Sequence, residues 1–243
     1  MTHSSFDAYK DSYQREIESS IAFSGRGLDF FTRVKAERLV KLARRWLGEP
    51  SRLRVLDIGC GVGLTDKYVA NHFGGLWGVD ISPGCLESAA RQNPSVNYHL
   101  TDGESLPFAD ATFDLAFTIC VLHHVPPPRW GGFISQMRRV VRPGGLSVIM
   151  EHNPLNPLTR MVVSRCVFDA DAVLLSRRKA VGLFHAAGFE VLDRSSFLLF
   201  PWRGQIFQSV ERLLGTLPVG AQYNVVGRRP LAEEEVGQQR RAA

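Results

Sequence analysis

Cysteine is sparse and never closely spaced. Cys60, Cys85, Cys120 and Cys166 are the four in 243 residues, and no two fall in a Cys-x-x-Cys pattern. That argues against a zinc knuckle or a small disulfide scaffold and predicts reduced, buried thiols. No apolar run approaches the roughly 20 residues that a bilayer-spanning helix needs, so no membrane span is expected. Residues 1–10 lack the basic-then-apolar layout of a secretory leader, and the chain is read as cytoplasmic. Internal repeats and low-complexity tracts are missing too. What remains is ordinary: 44% hydrophobic and 22% charged residues over 243 positions, enough for one generous domain and too apolar for a disordered chain.

Acidic charge is short by a small margin, with a formal net charge of +5. The excess is local. Between Arg33 and Arg54 stand Arg33, Lys35, Arg38, Lys41, Arg44, Arg45, Arg52 and Arg54 against Glu37 and Glu49, a surplus of six from eight basic and two acidic residues. Such a helix is either a solvated face or a nucleic-acid surface.

The remainder alternates. Apolar spacing predicts helices over 6–20 and 29–47, the latter with Phe30, Val34, Leu39, Leu42, Ala43 and Trp46 as its stripe and ended by Gly48, Glu49 and Pro50. A strand at 53–58, a helix at 65–72, a strand at 76–79 and a helix from Pro83 to Gln92 follow. Strands at 96–100 and 113–118 come next, then a helix at 129–141 stopped by Arg142-Pro143-Gly144-Gly145, and an apolar strand at 146–150. Later come a helix at 176–187, a strand at 190–199, a helix at 205–214, a strand at 221–229 and a polar tail. Strands alternating with helices at this spacing imply parallel crossovers and a sheet covered on both faces.

The densest information lies in VLDIGCGVG at 55–63. A buried strand runs into Gly59, Gly61 and Gly63, where backbone must turn tightly and let a ligand lie against it. Ligands of open parallel sheets sit beyond the carboxyl ends of the strands, where this loop falls. A dinucleotide fingerprint would place its third glycine at 64, which is Leu64. An acid, Asp57, stands where a pyrophosphate would be repelled. Asp80 ends the second strand, suited to accepting from two ribose hydroxyls, and Asp102 follows the third. Three acids at successive strand ends describe a site for a cationic nucleoside such as S-adenosylmethionine.

Together VLDIGCGVG (55–63), GVD (78–80), TDGESLPF (101–108), FDLAFTICVLHHV (113–125) and RRVVRPGGLSVIME (138–151) make the sequence resemble a class I S-adenosylmethionine-dependent methyltransferase. The branch it resembles is the small-molecule one that includes ubiquinone and menaquinone methyltransferases. The resemblance covers about residues 53–151. It implies an α/β, Rossmann-like, seven-stranded and mostly parallel sheet with helices on both faces, the last strand antiparallel, and an N-terminal helical lid. It also implies one domain, with 1–50 as lid, 51–152 as cofactor-binding core, 153–230 as acceptor side and 231–243 as tail. Carried over by position, Asp57, Gly59, Cys60 and Gly61 line the methionine end of S-adenosylmethionine. Asp80 and Ile81 hold the ribose and adenine edge, and Asp102 with the Gly103 amide reads the adenine. Ile119 and Cys120 approach the reacting methyl.

Methyl transfer is an in-line displacement in which alignment does most of the work. A hydroxyl acceptor also needs its proton removed, whereas a carbanion-like carbon or a neutral amine does not. Candidate bases are His123 and His124 after the fourth strand and Glu151 and His152 after the fifth. His124 is chosen as base, with Glu151 holding its imidazole. Ile119-Cys120-Val121-Leu122 replaces the Asn-Pro-Pro-Tyr-like tetrad that holds amides and base amines, which lowers the odds of nucleic-acid or protein N-methylation. No carboxylate cluster suits metal assistance, so no metal is expected. Tyr9, Tyr13, Phe23, Phe30, Phe197, Phe200 and Trp202 are either pocket walls or core. The expectation is methyl transfer to a small-molecule acceptor, oxygen first and carbon next. The alternatives are an RNA methyltransferase using the basic 33–54 segment and a non-catalytic nucleoside-binding module. The sequence leaves the oligomeric state open.

Overall fold

The computed structural model describes residues 13–199, 217 and 219–231. The helix expected at 205–214, the tail from 232, and Tyr9, Phe200 and Trp202 lie outside the described residues.

The strand β1 (Arg54–Ile58) is buried from Val55 to Ile58, as a parallel strand covered on both faces requires. β2 (Gly75–Asp80) and β3 (Asn97–Leu100) extend the sheet to one side. β4 (Phe113–Ile119) and β5 (Val141–His152) extend it to the other, all in parallel. β6 (Glu190–Asp193) and β7 (Ser196–Phe197) both pair antiparallel with β8 (Gln222–Arg228), which itself runs antiparallel along β5. The resulting order is β3-β2-β1-β4-β5-β8-β6. The expected seventh strand is β8, and the expected strand at 190–199 is broken in two. At the break, Asp193 Oδ1 accepts from the Ser195 amide (3.1 Å) and from the Ser195 hydroxyl (2.5 Å), and this local turn displaces the ladder.

The helices are α1 (Tyr13–Ile21), α2 (Leu28–Leu47), α3 (Asp66–Val69), α4 (Pro83–Gln92), α5 (Trp130–Val140), α6 (Pro157–Arg165) and α7 (Arg177–Ala186). α2 buries Leu28, Thr32, Ala36, Leu39, Leu42 and Ala43, one face at helical spacing. Phe30, Val34 and Trp46, expected in that stripe, are partly buried and pack at its margin. This face covers one side of the sheet with Val55, Leu115, Phe117, Val148 and Phe197. α5 and α7 cover the other side through Ile134, Met137, Ala180 and Phe184 against Leu56, Ile149 and Tyr223.

Two local expectations fail for physical reasons. The helix ends at Val140, and Val141 already pairs with Phe113, so Arg142-Pro143-Gly144-Gly145 is an irregularity inside β5 and no helix stop. Gly144 takes a φ of +76°, and a Cβ on Gly145 would sit 2.7 Å from the Asp114 carbonyl oxygen. Missed altogether is α6, although Asn156 accepts from the Thr159 amide at 3.1 Å and Pro157 occupies its first turn, both readable as a helix start.

Candidate functional site

The glycine loop leaves β1 with Gly59, Gly61 and Gly63 all at positive φ. A Cβ on Gly59 would lie 2.5 Å from Val121 Cγ2, so this glycine lets the loop after β4 close against it. Gly61 differs: its missing side chain faces open space, and its amide donates to Asp80 Oδ2 at 2.9 Å. The other Asp80 oxygen takes the Ser82 amide at 2.9 Å, just where Ser82 caps α4. One carboxylate thus ties the glycine loop to the end of β2. Asp102 is exposed, and its Oδ1 accepts from the Glu104 and Ser105 amides at 2.8 and 2.7 Å. Those amides hold its carboxyl below the usual range. Gly103, at φ +76°, leaves 3.1 Å between its would-be Cβ and Ile81 Cγ2.

Asp57 sits deeper than its motif suggests. It is 3% exposed and lies near Asp66, the first residue of α3. Burial and the Asp66 charge push the Asp57 carboxyl well above the ordinary value, and burial lifts Asp66 to about 6. Two neighbouring carboxyls buried in this way disfavour ionisation of both at once. Tyr98 donates to Asp66 Oδ2 at 2.7 Å and takes a hydrogen bond from Asn93 Nδ2 at 3.1 Å. Asp66 belongs to the site's support, and its place at the start of the helix gave no signal.

At the far side, β4 and β5 end together. Glu151, 1% exposed, accepts from the Val121 and Leu122 amides at 2.9 and 2.8 Å through Oε1. Its Oε2 lies 2.7 Å from His123 Nδ1. Glu151 therefore holds His123; the expected hold on His124 is corrected, because His123 Nδ1 meets the Glu151 carboxylate while His124 meets Asp169. His124 Nε2 instead lies 3.5 Å from Asp169 Oδ1, which is also 3.3 Å from His123 Nε2. Burial opposes a charge on His123, yet Glu151 and Asp169 outweigh it and hold the imidazole well above its ordinary value. The same charge on His123 overcomes the burial of Glu151 and of Asp169 and keeps both carboxyls below theirs. Burial and the neighbouring His123 push His124 and His152 down to about 4. Trp130 Nε1 pins the intervening loop by donating to the Leu122 and Val125 carbonyls at 2.8 and 2.9 Å. Asp169 had no motif to mark it.

A single cavity of about 840 Å³ joins these groups. One end is bounded by Asp57, Gly59, Cys60, Gly61, Asp80, Ile81, Asp102 and Gly103. The other holds Cys120, His123, His124, His152 and Asp169, with Ile119 between the two. Of the residues named in advance, Glu151 stands behind this wall and does not line it. Cys120 follows β4 at φ +57°, a left-handed conformation that a non-glycine residue adopts under constraint, and Gln222 Nε2 lies 3.3 Å from its Sγ. Apolar side chains also line the cavity, among them Ile21, Leu28, Phe31, Leu158, Val162 and Leu198. Of the aromatics weighed as pocket walls, Phe197 is 1% exposed in the core and Phe30 packs beside it.

Part of the basic surplus has partners within the chain, although Arg33, Arg45 and Arg54 remain exposed. Arg38 donates to Asn224 and Ser195 and stacks over Phe197. Arg33 pairs with Asp29 and lies over Tyr68, Arg45 lies over Trp46, and Arg54 lies over Trp77. Lys35 faces the cavity. All four cysteines are free, three of them buried. Among the described residues, no helix is long and apolar enough to cross a membrane.

The chain is similar to known proteins. Residues 56–149 match the family described as a methyltransferase domain. A Synechocystis protein named as an uncharacterized methyltransferase is 36% identical over 145 residues, 58% of this chain and 68% of that one. The 2-methyl-6-phytyl-1,4-hydroquinone methyltransferase of Synechocystis is 28% identical over 189 residues, 70% of this chain; the chain spans 58% of that relative's length. An S-adenosylmethionine-dependent methyltransferase from Mesorhizobium loti has the same fold, with a TM-score of 0.58 at 23% identity over 78% of this chain and 96% of that one. The glycine loop, the three strand-end acids and these matches agree, and the chain belongs to the S-adenosylmethionine-dependent methyltransferases.

Proposed function

We propose that the chain transfers the methyl group of S-adenosylmethionine to a hydroxyl oxygen of a small aromatic acceptor. The observation that carries the reading is the continuity of the cavity. It runs from the acid-lined glycine loop, past Ile119 and Cys120, between apolar walls, to a histidine paired with a carboxylate. The hydroquinone named for one Synechocystis relative is an aromatic that bears hydroxyls.

The residues at the first end fit the donor. Asp80, anchored by two amides, presents its carboxylate at the end of β2, where it would accept from the ribose hydroxyls. Asp102 and the Gly103 amide would meet the adenine edge, with Ile81 packed beside it. Gly61, whose side-chain position is open space, lets a ligand approach the backbone there. Asp57, Gly59 and Cys60 would line the methionine end. When bound, the donor supplies a methyl already activated by its sulfonium.

What this chain contributes is alignment and a proton acceptor. Holding acceptor and methyl in line can supply several kcal/mol of the barrier, up to about 7–11 in ideal cases. His124 is the half-buried imidazole on the cavity wall, and the Asp169 carboxylate beside it stabilises the imidazolium formed when it takes the hydroxyl proton. His123 and Glu151 keep the loop that carries His124 in place.

The test is a side-by-side assay of the full chain with S-adenosylmethionine and three acceptor sets: hydroquinones and phenols, RNA, and peptides. Demethylated donor should accumulate with the phenolic set. Accumulation with RNA or peptide alone would overturn the reading.

A further inference from the structure

We infer that His123, His152 and Asp169 form a site for one divalent first-row transition-metal ion, open towards the cavity, where a hydroxyl oxygen of the acceptor would complete its coordination. The acceptor's part in this rests on the proposed function; the metal site itself does not. It replaces the expectation, drawn from sequence, that no metal takes part.

The three donors come from three places in the chain: the loop after β4, the end of β5 and the turn Val167–Asp169. Their ligand atoms lie within 4.8 Å of one another. His123 Nε2 and Asp169 Oδ1 are 3.3 Å apart, close to the spacing of about 3 Å between neighbouring ligands that each stand roughly 2 Å from one ion. Two imidazoles and one carboxylate on one side of an ion are a donor set suited to first-row dications. Three protein ligands with free positions beyond them are the layout of a catalytic metal site; structural sites are closed.

The support behind the donors points the same way. His123 Nδ1 faces Glu151 Oε2 at 2.7 Å, so Nδ1 donates and the Nε2 lone pair is left for a ligand. Glu151 is itself fixed by two backbone amides and cannot swing away. All three donors line the cavity, which gives the ion its path in.

A hydroxyl bound to such an ion loses its proton more readily. In the transfer, that proton goes to His124 and the oxygen forms its bond to the methyl carbon. The carbon–sulfur bond breaks, and sulfur keeps the electron pair as the neutral thioether.

The probe is cobalt(II), titrated into the metal-stripped full chain and followed by its visible absorption and by equilibrium dialysis. One cobalt per chain is expected. His152→Ala and Asp169→Asn should each lose the absorption band, Glu151→Gln should bind about 10- to 100-fold more weakly, and the surface variant His72→Ala should match wild type. Thermal unfolding of each variant, together with its binding of S-adenosylmethionine, verifies that the chain is folded. A folded wild-type chain that binds no cobalt overturns the site, as does binding unchanged in both ligand variants. The second result would leave His123 as a tether for the segment that donates from Val173 N to its carbonyl at 2.9 Å. Stoichiometric cobalt with no methylated phenol supports the site and counts against the acceptor reading. Methylated phenol with no cobalt bound overturns the site alone.

Discussion

Replacing Asp80 by alanine removes one carboxylate that serves two purposes, and the two separate experimentally. In the structure its oxygens take the Gly61 and Ser82 amides, each at 2.9 Å. Hydrogen bonds to a charged group are worth about 1.5–3 kcal/mol each. Because the cavity admits water to the vacated amides, the lower end applies, or about 3 kcal/mol for the two. For a chain of this size that lowers the melting temperature by about 6–12 °C. The donor loses its ribose partner as well, about 1–3 kcal/mol, or roughly 5- to 150-fold in affinity. Isothermal calorimetry with S-adenosylmethionine and with its demethylated product, beside thermal unfolding of the same samples, reads both numbers. A folded Asp80→Ala chain with wild-type dissociation constants would refute the assignment of the ribose to β2.

A second prediction concerns the buried Asp57–Asp66 pair. An acid lifted from 3.8 to about 6 binds its proton more tightly in the folded chain, so its contribution is full below about pH 4 and is lost as pH rises through about 6. Asp66→Asn abolishes that loss, so between about pH 4 and pH 7 its stability relative to wild type should rise by about 2 kcal/mol in urea titrations; a constant difference would contradict the raised Asp66 carboxyl. His124→Ala should lower turnover by about 10²–10⁴-fold with donor affinity nearly unchanged, and a variant retaining most of its turnover would show that the histidine is structural. Gly59→Ala forces a left-handed alanine against Val121, 2.5 Å away, at a cost above about 2 kcal/mol. Adding Val121→Ala should return the contact part and leave the backbone part of about 1–2 kcal/mol; full recovery in a denaturant titration would show that φ there is unstrained.

The readable parts of this chain were those whose physics is local. α4 runs from Pro83 to Gln92 as the sequence predicts, because Ser82 caps it and Pro83 fits its first turn. β1, β2 and β4 announce themselves as apolar runs, and the glycines and Asp57, Asp80 and Asp102 fall at strand ends simply because those strands are parallel. What failed depends on partners distant in sequence. Pro143-Gly144-Gly145 reads as a stop signal, yet β4 and Arg229 enclose it in β5, with the Gly144 amide donating to the Arg229 carbonyl at 2.7 Å. The sequence placed Glu151 beside the histidines without showing which one it would meet. Asp66 and Asp169 carry half of each charged cluster, but each enters by tertiary packing, one from a helix's first turn and one from a loop after β5.

The most direct measurement supplies an isotopically labelled methyl donor to the protein with a hydroquinone panel and with cell extract, and follows the label by NMR. The account predicts that the label appears in a low-molecular-mass aromatic product, on oxygen, at a methoxy chemical shift. Label on ring carbon or on nitrogen, or label held in RNA or protein, would contradict it.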